Sequence, residues 1–468
     1  VFLSDEQNQI LRLVEEGNSV FYTGSAGTGK SVLLREIIKS LHKKHAKAPD
    51  VVAITASTGI AACNIGGVTI HSFAGIGLGI ETAEDLAARI RKNKKAMARW
   101  LRTRALIIDE VSMIDGDLFD KLARIGSILR KKTEPFGGIQ ARIDRHTRGV
   151  VVTGDFFQLP PVMRGGTPKF AFEAARWQET IPYTFNLTKV FRQTDQEFVD
   201  MLNEMRFGQL TQRSIHKFCS LSRPIEYEDG LGATELFPRR EDVDRSNNVR
   251  MAALSSTNSM RYRATDGGTL QSEKRGRILA NFMAPEVLEL RQDAQVMLIK
   301  NIDETLVNGS TGRVERFVDP TVYGTQYDDG GVTGEPAHSV PGKSVKEALK
   351  EKGAASTMRY PVVNFLLPNG GQRRMLVLPE VWKVELPSGE VQVSRSQLPL
   401  ILSWAMSIHK SQGQTLERVK VDLGKVFEKG QAYVALSRAT SLEGLQVLNF
   451  DPKKVQAHPK VVAWSKTL

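Results

Sequence analysis

The chain has 468 residues, of which 41% are hydrophobic, 7% aromatic and 25% charged, so it can bury the cores of about three domains of roughly 150 residues each. This composition excludes a peptide, a coiled coil and a disordered tail, and no apolar run approaches the roughly 20 residues of a membrane-spanning helix, so we expect a soluble protein with no membrane partner. Lys and Arg number 64 against 52 Asp and Glu, a net charge of +12 that favours a polyanionic partner without proving one.

The number of cysteines and the first residues of the sequence indicate the kind of cellular compartment in which the protein is expected. Cys63 and Cys219 are the only cysteines, too few for a disulfide framework or a zinc module, so a reducing compartment is expected. The sequence begins at Val1 without a signal peptide or transit signature. We therefore expect a fragment of a longer protein, with any targeting segment outside it.

Four short β-branched runs alternate with amphipathic helical stretches over residues 1–190. They are VFYTG (20–24), VVAIT (51–55), ALIID (105–109) and VVVTGD (150–155). Apolar runs of this length separated by helices predict an α/β fold with a parallel sheet. Each run ends in small or acidic residues, and such sheets bind ligands beyond the carboxyl ends of their strands. The chemistry is therefore expected at these four strand ends.

A second α/β region is predicted from Leu187 onward and again from Ser394. Its expected elements are strands at QVMLI (295–299), LILSW (400–404) and VKVDL (419–423) and a helix over AYVALSRAT (432–440). Residues 313–393 differ, because Pro and Gly break their short strand-like runs, as in a small all-β module. Inside that module, Gly324 to Thr357 is polar and glycine-rich and is interpreted mostly as a mobile loop. The predicted domains are 1–186, then 187–312 with 394–468, and the insertion 313–393.

GSAGTGKS occupies residues 24–31 and fits the pattern G-x-x-x-x-G-K-[ST] between a strand-like and a helix-like segment. The glycines let backbone N–H groups surround an anion at the positive end of the following helix. In that geometry Lys30 reaches the β- and γ-phosphates, and the Ser31 hydroxyl ligates Mg²⁺. The alternative is an ordinary glycine-rich turn, and the flanking strand and helix argue against it. The predicted nucleotide-binding residues of this loop are Gly24, Ser25, Ala26, Gly27, Thr28, Gly29, Lys30 and Ser31.

Two later strand ends carry groups suited to phosphoryl transfer. In ALIIDEVSM (105–113), Asp109 would hold Mg²⁺, and Glu110 would orient and deprotonate the attacking water. In GDFFQLPPV (154–162), Gln158 would contact the γ-phosphate or that water, with an ordinary polar loop residue as the alternative. Paired with the phosphate loop, these groups predict an NTPase site.

Negative charge on the transferring phosphoryl group usually needs an arginine as well. Arg192 in LTKVFRQ and Arg438 in YVALSRAT are the candidates in the second α/β region. The alternative for each is an ordinary surface or salt-bridged arginine. A catalytic role requires the second region to close on the first, which would couple hydrolysis to domain motion.

In order and in kind, these segments resemble the motifs of the PIF-type branch of superfamily 1 helicases, relatives of the RecD-like 5′ to 3′ DNA helicases. By this resemblance Gln7 in LSDEQ (3–7) would read the adenine, and residues 117–140 are similar to a segment characteristic of the branch. The remaining motif-like segments are 24–31 (I), 55–77 (Ia), 107–114 (II), 154–162 (III), 187–208 (IV), 402–423 (V) and 430–445 (VI). The match spans the chain.

The resemblance implies two RecA-like domains that clamp ATP and Mg²⁺ between them while single-stranded DNA crosses their top. It also implies a small wedge insertion at about residues 68–100 and a β-barrel insertion in the second domain, which agrees with the all-β stretch. The implied activity is ATP-driven 5′ to 3′ movement on single-stranded DNA and unwinding of duplex, forked or structured DNA. A monomer in the absence of DNA, residence in the nucleus or mitochondrion, and roles in repair, recombination and telomere maintenance are further family implications.

One segment departs from the family pattern. ARIDRHTRG (141–149) stands where the family would run almost directly from GGIQ into the strand VVVTGD. Its three Arg, one Asp and one His cannot continue a buried strand without unpaired buried charge. Two interpretations stay open, an exposed loop far from Gln158 or a gene-model artefact such as a translated intron. Sequencing the transcript decides between them.

Two clusters of hydroxyl, imidazole, amine and aromatic groups suit a single strand, which is held by stacking and by backbone contacts. A satisfied structural histidine is the alternative for each imidazole, and the matching motif strings favour DNA contact. The predicted DNA-binding residues are Thr55, Ser57, Thr58, His71, Ser72 and Phe73 in the first domain and His409, Lys410 and Ser411 in the second.

Three functions fit these residues. The leading hypothesis is an ATP-driven DNA helicase in which domain closure moves one DNA-gripping cluster toward the other. A nucleotide-regulated single-stranded DNA clamp without unwinding activity is the first alternative, although a clamp would not need the water activator Glu110. The second alternative is an ATPase that acts on a protein or a small molecule. This alternative does not explain the two predicted DNA-binding clusters or the net positive charge.

Overall fold

The computed structural model describes residues 2–139, 149–162, 165–324, 358–385 and 389–468. Its helices are α1 (Asp5–Glu15), α2 (Lys30–Lys44), α3 (Gly59–Asn64), α4 (Ile70–Ala74), α5 (Ala83–Lys92), α6 (Lys94–Arg102), α7 (Gly116–Arg130), α8 (Trp177–Thr180), α9 (Gln196–Phe207), α10 (Gln212–Ser220), α11 (Arg240–Ala252), α12 (Ser272–Leu279), α13 (Ile408–Ser411), α14 (Gln431–Leu436) and α15 (Pro459–Ser465). Within these ranges no helix is both long enough and apolar enough to cross a membrane.

The strands are β1 (Val20–Gly24), β2 (Val52–Ala56), β3 (Val68–Thr69), β4 (Ala105–Asp109), β5 (Gly149–Thr153), β6 (Tyr183–Leu187), β7 (Thr234–Phe237), β8 (Ser259–Arg263), β9 (Thr265–Gly267), β10 (Val287–Arg291), β11 (Gln295–Leu298), β12 (Thr311–Val318), β13 (Tyr360–Leu366), β14 (Gln372–Leu376), β15 (Glu380–Glu385), β16 (Val391–Gln397), β17 (Leu400–Leu402), β18 (Ala405–Ser407), β19 (Val419–Asp422) and β20 (Leu445–Leu448).

The first domain contains a parallel sheet in the order β3-β2-β4-β5-β1-β6. One face packs on α1 and α2 through apolar residues such as Leu33 and Ile37, and the other packs on α4 to α7 through residues such as Phe119. The four predicted strands are β1, β2, β4 and β5, so the α/β fold with a parallel sheet is confirmed. The edge strands β3 and β6 were missed because one has two residues and the other is mostly exposed.

The second domain has its own parallel sheet, in the order β18-β7-β19-β20. VKVDL forms β19 as predicted, and the predicted helix over 432–440 is α14, which ends at Leu436. Buried side chains of α9, α10 and α14 cover this sheet. Both parallel sheets present the carboxyl ends of their strands as candidate ligand sites.

Two strands assigned to the second parallel sheet from sequence belong elsewhere. QVMLI and LILSW form β11 and β17, which pair antiparallel with each other in the sheet β14-β13-β12-β11-β17. The antiparallel module therefore extends beyond both predicted boundaries, 313 and 393. A short buried apolar run has the same pattern in either kind of sheet, and only its partner distinguishes them. Closure of this module into a barrel stays a prediction.

The end of the chain also lies differently from the prediction. Helix α15 was assigned to the second domain, but Val461 is buried in the first-domain core, and the Trp464 ring stacks on Phe172 with centroids 4.4 Å apart. A helix of seven residues is too short to carry a sequence pattern that specifies which domain it covers. Helix α5 and all but the last two residues of α6 lie within the predicted wedge, 68–100, and the two helices pack against α7 and each other. Their action as a wedge stays a prediction.

Two predicted loops fall largely outside the described residues. They are 141–148 of the inserted segment and 325–357 of the mobile loop. Gly149, the last residue of the inserted segment, is the first residue of β5 rather than part of a loop. Gly324 lies in a turn at the end of a described range.

Candidate active site between the two parallel sheets

The loop between β1 and α2 forms the phosphate-binding part of the candidate site. Gly27 and Gly29 have φ angles of 86° and 81°, in the left-handed region that glycine tolerates and that the tight turn into α2 requires. The Lys30 ammonium donates to the carbonyl oxygens of Gly24 (2.8 Å) and Ser25 (3.1 Å). The loop thus folds around Lys30 at the positive end of a 15-residue helix, a geometry that binds anions.

Gln7, predicted to read the adenine, is buried behind this loop rather than in the cavity in front of it. Its Nε2 donates to the carbonyl oxygens of Thr28 and Gly29, both at 3.4 Å, and its Oε1 accepts from the Ser4 N–H at 2.9 Å. The second contact belongs to the capping box of α1, in which Ser4 is the N-cap. Because protein groups occupy both ends of the amide, this arrangement supports the loop and does not present Gln7 to a base.

Asp109 and Glu110 follow β4, and the backbone between them is unusual. Glu110 has φ 52° and ψ 47°, a left-handed conformation that costs a side-chain-bearing residue roughly 1–2 kcal/mol. The Asp109 carboxylate accepts the Glu110 N–H at 2.8 Å, which helps to hold this turn. Such strain is typical of functional sites. Burial raises the pKa of both carboxyl groups, so Glu110 is suited to accept a proton.

A cavity of about 300 Å³ opens in front of the phosphate loop, and both domains line it. The first domain contributes Ala26, Gly27, Gly29, Lys30, Ser31, Val32, Arg35, Glu110 and Gln158, and the second contributes Phe191, Arg192, Gly413, Thr415 and Arg438. The structure thus brings five of the six predicted catalytic residues to one cavity. Asp109, the sixth, lies next to the lining residue Glu110.

The two second-domain arginines in this cavity, Arg192 and Arg438, are held by uncharged groups. Arg192 donates to the Thr415 hydroxyl (3.0 Å) and the Ser437 carbonyl oxygen (3.1 Å), and Arg438 donates to the Val434 carbonyl oxygen at 2.9 Å. Within the described residues neither forms an ion pair with a carboxylate. Burial lowers the pKa of Arg192 to about 9 and that of Arg438 to about 10. Buried positive charge without a partner favours an anionic ligand such as a polyphosphate.

Sequence reasoning missed a buried ion pair that joins the domains. Arg206 on α9 donates to both oxygens of Asp155, at 2.9 Å and 3.3 Å, and lies 4.5 Å above the Phe157 ring. Burial alone would raise the pKa of Asp155, but the charges of Arg206 and Lys30 lower it below its ordinary value. Asp155 lies in the motif-like segment 154–162 and Arg206 in the segment 187–208, but nothing in either segment indicates that the two residues pair.

Two more second-domain side chains reach first-domain functional groups. The Tyr433 hydroxyl accepts the Ala26 N–H of the phosphate loop at 2.7 Å. The Gln412 amide donates to Glu110 Oε2 at 3.1 Å and to Gln158 Oε1 at 3.2 Å. Both residues lie inside strings that the resemblance covers. The spacing of residues in such a segment does not indicate which polar side chain forms a hydrogen bond with the other domain.

The predicted DNA-binding residues divide by accessibility. Thr55, Phe73 and Ser411 are buried, which corrects their assignment. The Thr55 and Ser411 hydroxyls donate to the carbonyl oxygens of Ile107 and Ile408, and Phe73 packs on Trp100 with ring centroids 5.4 Å apart. None of the three can contact a strand in this arrangement. Ser57, Thr58, His71, Ser72, His409 and Lys410 are partly or fully exposed and stay candidates. The hydroxyl oxygen of Ser57, however, is buried and has no hydrogen-bond partner among the described residues.

Nucleotide binding is expected to take up protons above pH 8. Burial lowers the pKa of Lys30 to about 8, and a bound polyphosphate would favour the charged ammonium and raise that pKa again. Affinity for ATP should therefore fall as the pH rises through 8. Calorimetry at pH 8.5 in buffers of different ionisation enthalpy measures the uptake. Lys30→Arg should lower this proton uptake, leaving the smaller contribution of Arg192, whose pKa of about 9 lies above that pH. An unchanged uptake in Lys30→Arg contradicts the assignment.

Comparison with known proteins supplies the family. The family model described as PIF1-like helicase matches residues 2–215, and that described as the 2B domain of DNA helicase Pif1 matches residues 274–317. The ATP-dependent DNA helicase PIF1 of Emericella nidulans is 54% identical over 484 residues, covering all of this chain and 63% of that protein. The chain thus spans less than two thirds of the length of this relative.

Two solved structures place the fold in the same family. The crystal structure of Pif1 helicase from Candida albicans is 48% identical with a TM-score of 0.72, and the alignment covers 100% of this chain and 99% of that one. A structure describing DNA unwinding at forked double-stranded DNA by two coordinating Pif1 helicases is 27% identical with a TM-score of 0.59, covering 100% and 97%. The phosphate loop, the Asp109–Glu110 strand end and the two facing arginines occur in the order that this family's motifs require, and the chain belongs to the PIF1-like helicase family.

Proposed function

We propose that this chain is an ATP-dependent DNA helicase that moves 5′ to 3′ on single-stranded DNA and unwinds duplex or structured DNA. The observation that carries the proposal is the shared cavity, in which Arg192 and Arg438 of the second domain face Lys30 and Glu110 of the first. Hydrolysis at a site built from two domains changes the contacts between them, and this is how a motor converts ATP into movement.

ATP and Mg²⁺ fit the residues present. Four cations line the cavity, Lys30, Arg35, Arg192 and Arg438, and they meet the charge of the phosphates. The Ser31 hydroxyl is exposed at the cavity and, with Asp109, would hold Mg²⁺. Within the described residues there is no group of three or more His, Cys, Asp or Glu able to cage a metal, which suits an ion bound mainly through phosphate oxygens. When bound, that ion neutralises the charge that develops on the phosphates.

The chain's own residues divide the chemistry of hydrolysis. Glu110 accepts a proton from the attacking water, while Gln158 orients that water or contacts the γ-phosphate. Lys30 and the two arginines stabilise the negative charge of the transition state. Because Arg192 and Arg438 are delivered by the second domain, full stabilisation requires closure of the cavity. Release of the product then permits opening.

Single-stranded DNA is the proposed track, and forked or structured DNA the proposed substrate. Support comes from the net charge of +12 and from the partly or fully exposed candidates Thr58, Ser72, His409 and Lys410, which lie on both domains. The solved relative at forked DNA indicates the kind of junction. We propose a monomer in the absence of DNA. A nucleotide-regulated clamp is the second candidate, and the pair Glu110 and Gln158 argues against it.

A directional unwinding assay tests the proposal. Two partial duplexes that carry a single-stranded tail on either the 5′ or the 3′ side of the same duplex are incubated with the protein, Mg²⁺ and ATP. Strand separation is expected only for the substrate with the 5′ tail. ATP hydrolysis should rise with added oligonucleotide, and binding should weaken with salt. Binding without separation of either substrate supports the clamp, and separation from the 3′ tail overturns the polarity.

A further inference from the structure

The amide of Gln412 joins the two groups of the first domain that are assigned to the attacking water. Gln412 follows α13, and its Nε2 donates to Glu110 Oε2 at 3.1 Å and to Gln158 Oε1 at 3.2 Å. An amide nitrogen carries two hydrogens, so one residue of the second domain occupies one acceptor on each partner. Both contacts cross between the two domains.

The consequence for the water site is specific. Gln158 is engaged at both ends, because its Nε2 also donates to Asp155 Oδ2 at 3.3 Å. Glu110 has one carboxylate oxygen occupied by an N–H donor rather than by the water whose proton it must accept. A water molecule placed for attack would compete with Gln412 for both groups. While both hydrogen bonds of Gln412 are made, the arrangement of Glu110 and Gln158 therefore disfavours turnover.

The position of Gln412 connects this arrangement to the DNA candidates. His409 and Lys410 belong to α13, the single helical turn that ends immediately before Gln412, and both are partly exposed. Gly413 follows with a left-handed φ of 81°, and no atom lies within 4 Å of the place where its Cβ would be. The segment thus has free space beside it and a residue whose backbone can change conformation without a steric penalty.

We propose that Gln412 is a positioning residue that holds Glu110 and Gln158 away from the attacking water until a single strand binds at His409 and Lys410. Binding of the strand shifts α13 and breaks the hydrogen bonds from the Gln412 amide to Glu110 and Gln158. ATP hydrolysis therefore depends on bound DNA. This inference rests on the proposed function and adds the regulation of its active site. The energy needed is modest, because only two hydrogen bonds at the edge of a cavity must break.

The variant Gln412→Met tests the proposal, because methionine has a similar length and no N–H donor. We expect the DNA-independent kcat for ATP to rise about tenfold, the order of effect of one hydrogen bond to a charged group. The KM for ATP should change less than about twofold, and the rate with saturating oligonucleotide should stay close to that of the unmodified chain. The stimulation by DNA should then fall about tenfold.

The matched control is Gln196→Met, the same substitution at an exposed residue of α9 that contacts only Asp200 among the described residues. It should leave both rates unchanged. An unchanged DNA-independent rate in Gln412→Met overturns the proposal, and so does a fall in both rates, which would make Gln412 a contributor to hydrolysis. If the unmodified chain hydrolyses ATP but DNA does not stimulate it, only this inference fails. If it hydrolyses no ATP with DNA, the proposed function fails as well.

Discussion

We expect Lys30→Ala to lower ATP hydrolysis by at least about a hundredfold while single-stranded DNA binding survives, because removal of one preorganised group that stabilises transition-state charge has this effect. The Lys30 ammonium lies inside the phosphate loop, within 3.1 Å of two loop carbonyl oxygens, and lines the shared cavity. The exposed DNA candidates do not contact it. Steady-state turnover with saturating oligonucleotide and the anisotropy of a labelled oligonucleotide measure the two properties.

Lys39→Ala is the matched control for this change. Lys39 is on the same helix, its side chain is 79% exposed, and its closest carboxylate is 3.9 Å away. A surface lysine of this kind contributes little to stability or charge balance. We expect both turnover and DNA binding to be unchanged. Turnover of Lys30→Ala within tenfold of the unmodified chain would place the nucleotide elsewhere, and loss of DNA binding would show that the loop supports the track.

The second large effect is expected for Glu110→Gln, in which ATP turnover should fall by about 10²- to 10⁴-fold, the contribution of a positioned general base. The substitution keeps the shape of the side chain and an oxygen that accepts from the Gln412 amide, and it leaves the Glu110 N–H free to donate to Asp109. Nucleotide affinity should therefore be retained. Comparison of kcat with the equilibrium binding of a nucleotide separates chemistry from binding.

Glu273→Gln serves as the control because the Glu273 side chain is 81% exposed on α12, where it pairs with Arg277. It should not alter turnover. Undiminished hydrolysis in Glu110→Gln would remove Glu110 from the role of general base. A matching loss of nucleotide affinity would instead indicate that the carboxylate is needed to build the cavity.

Much of the first domain could be predicted from local sequence. The phosphate loop is specified by its glycines and by Lys30, since this order of residues lets a strand turn into a helix around an anion. The strand that delivers Asp109 and Glu110 is likewise a continuous apolar run with a polar end. These features act within about ten residues, and sequence displays them directly.

The DNA candidates show where local reasoning stops. Thr55, Ser57 and Phe73 belong to polar or aromatic strings of the same kind, yet Thr55 and Phe73 are buried and Ser57 is partly exposed. A hydroxyl on a strand between two neighbouring strands finds a carbonyl oxygen inside the protein and does not need an external partner. Burial depends on what packs above a residue, and that information lies far away in the chain.

Sequence alone determined the class of fold, the phosphate loop and the identity of the charged groups, because each is set by short-range pattern and backbone chemistry. Only the tertiary structure decided that β11 and β17 leave the second parallel sheet, that α15 covers the first domain, and that Arg206 and Gln412 reach Asp155 and Glu110 across the domain boundary. Such contacts join residues 51 and 302 positions apart. They depend on how the surfaces of the two domains pack together, and the periodicity of apolar residues in the sequence does not predict that packing.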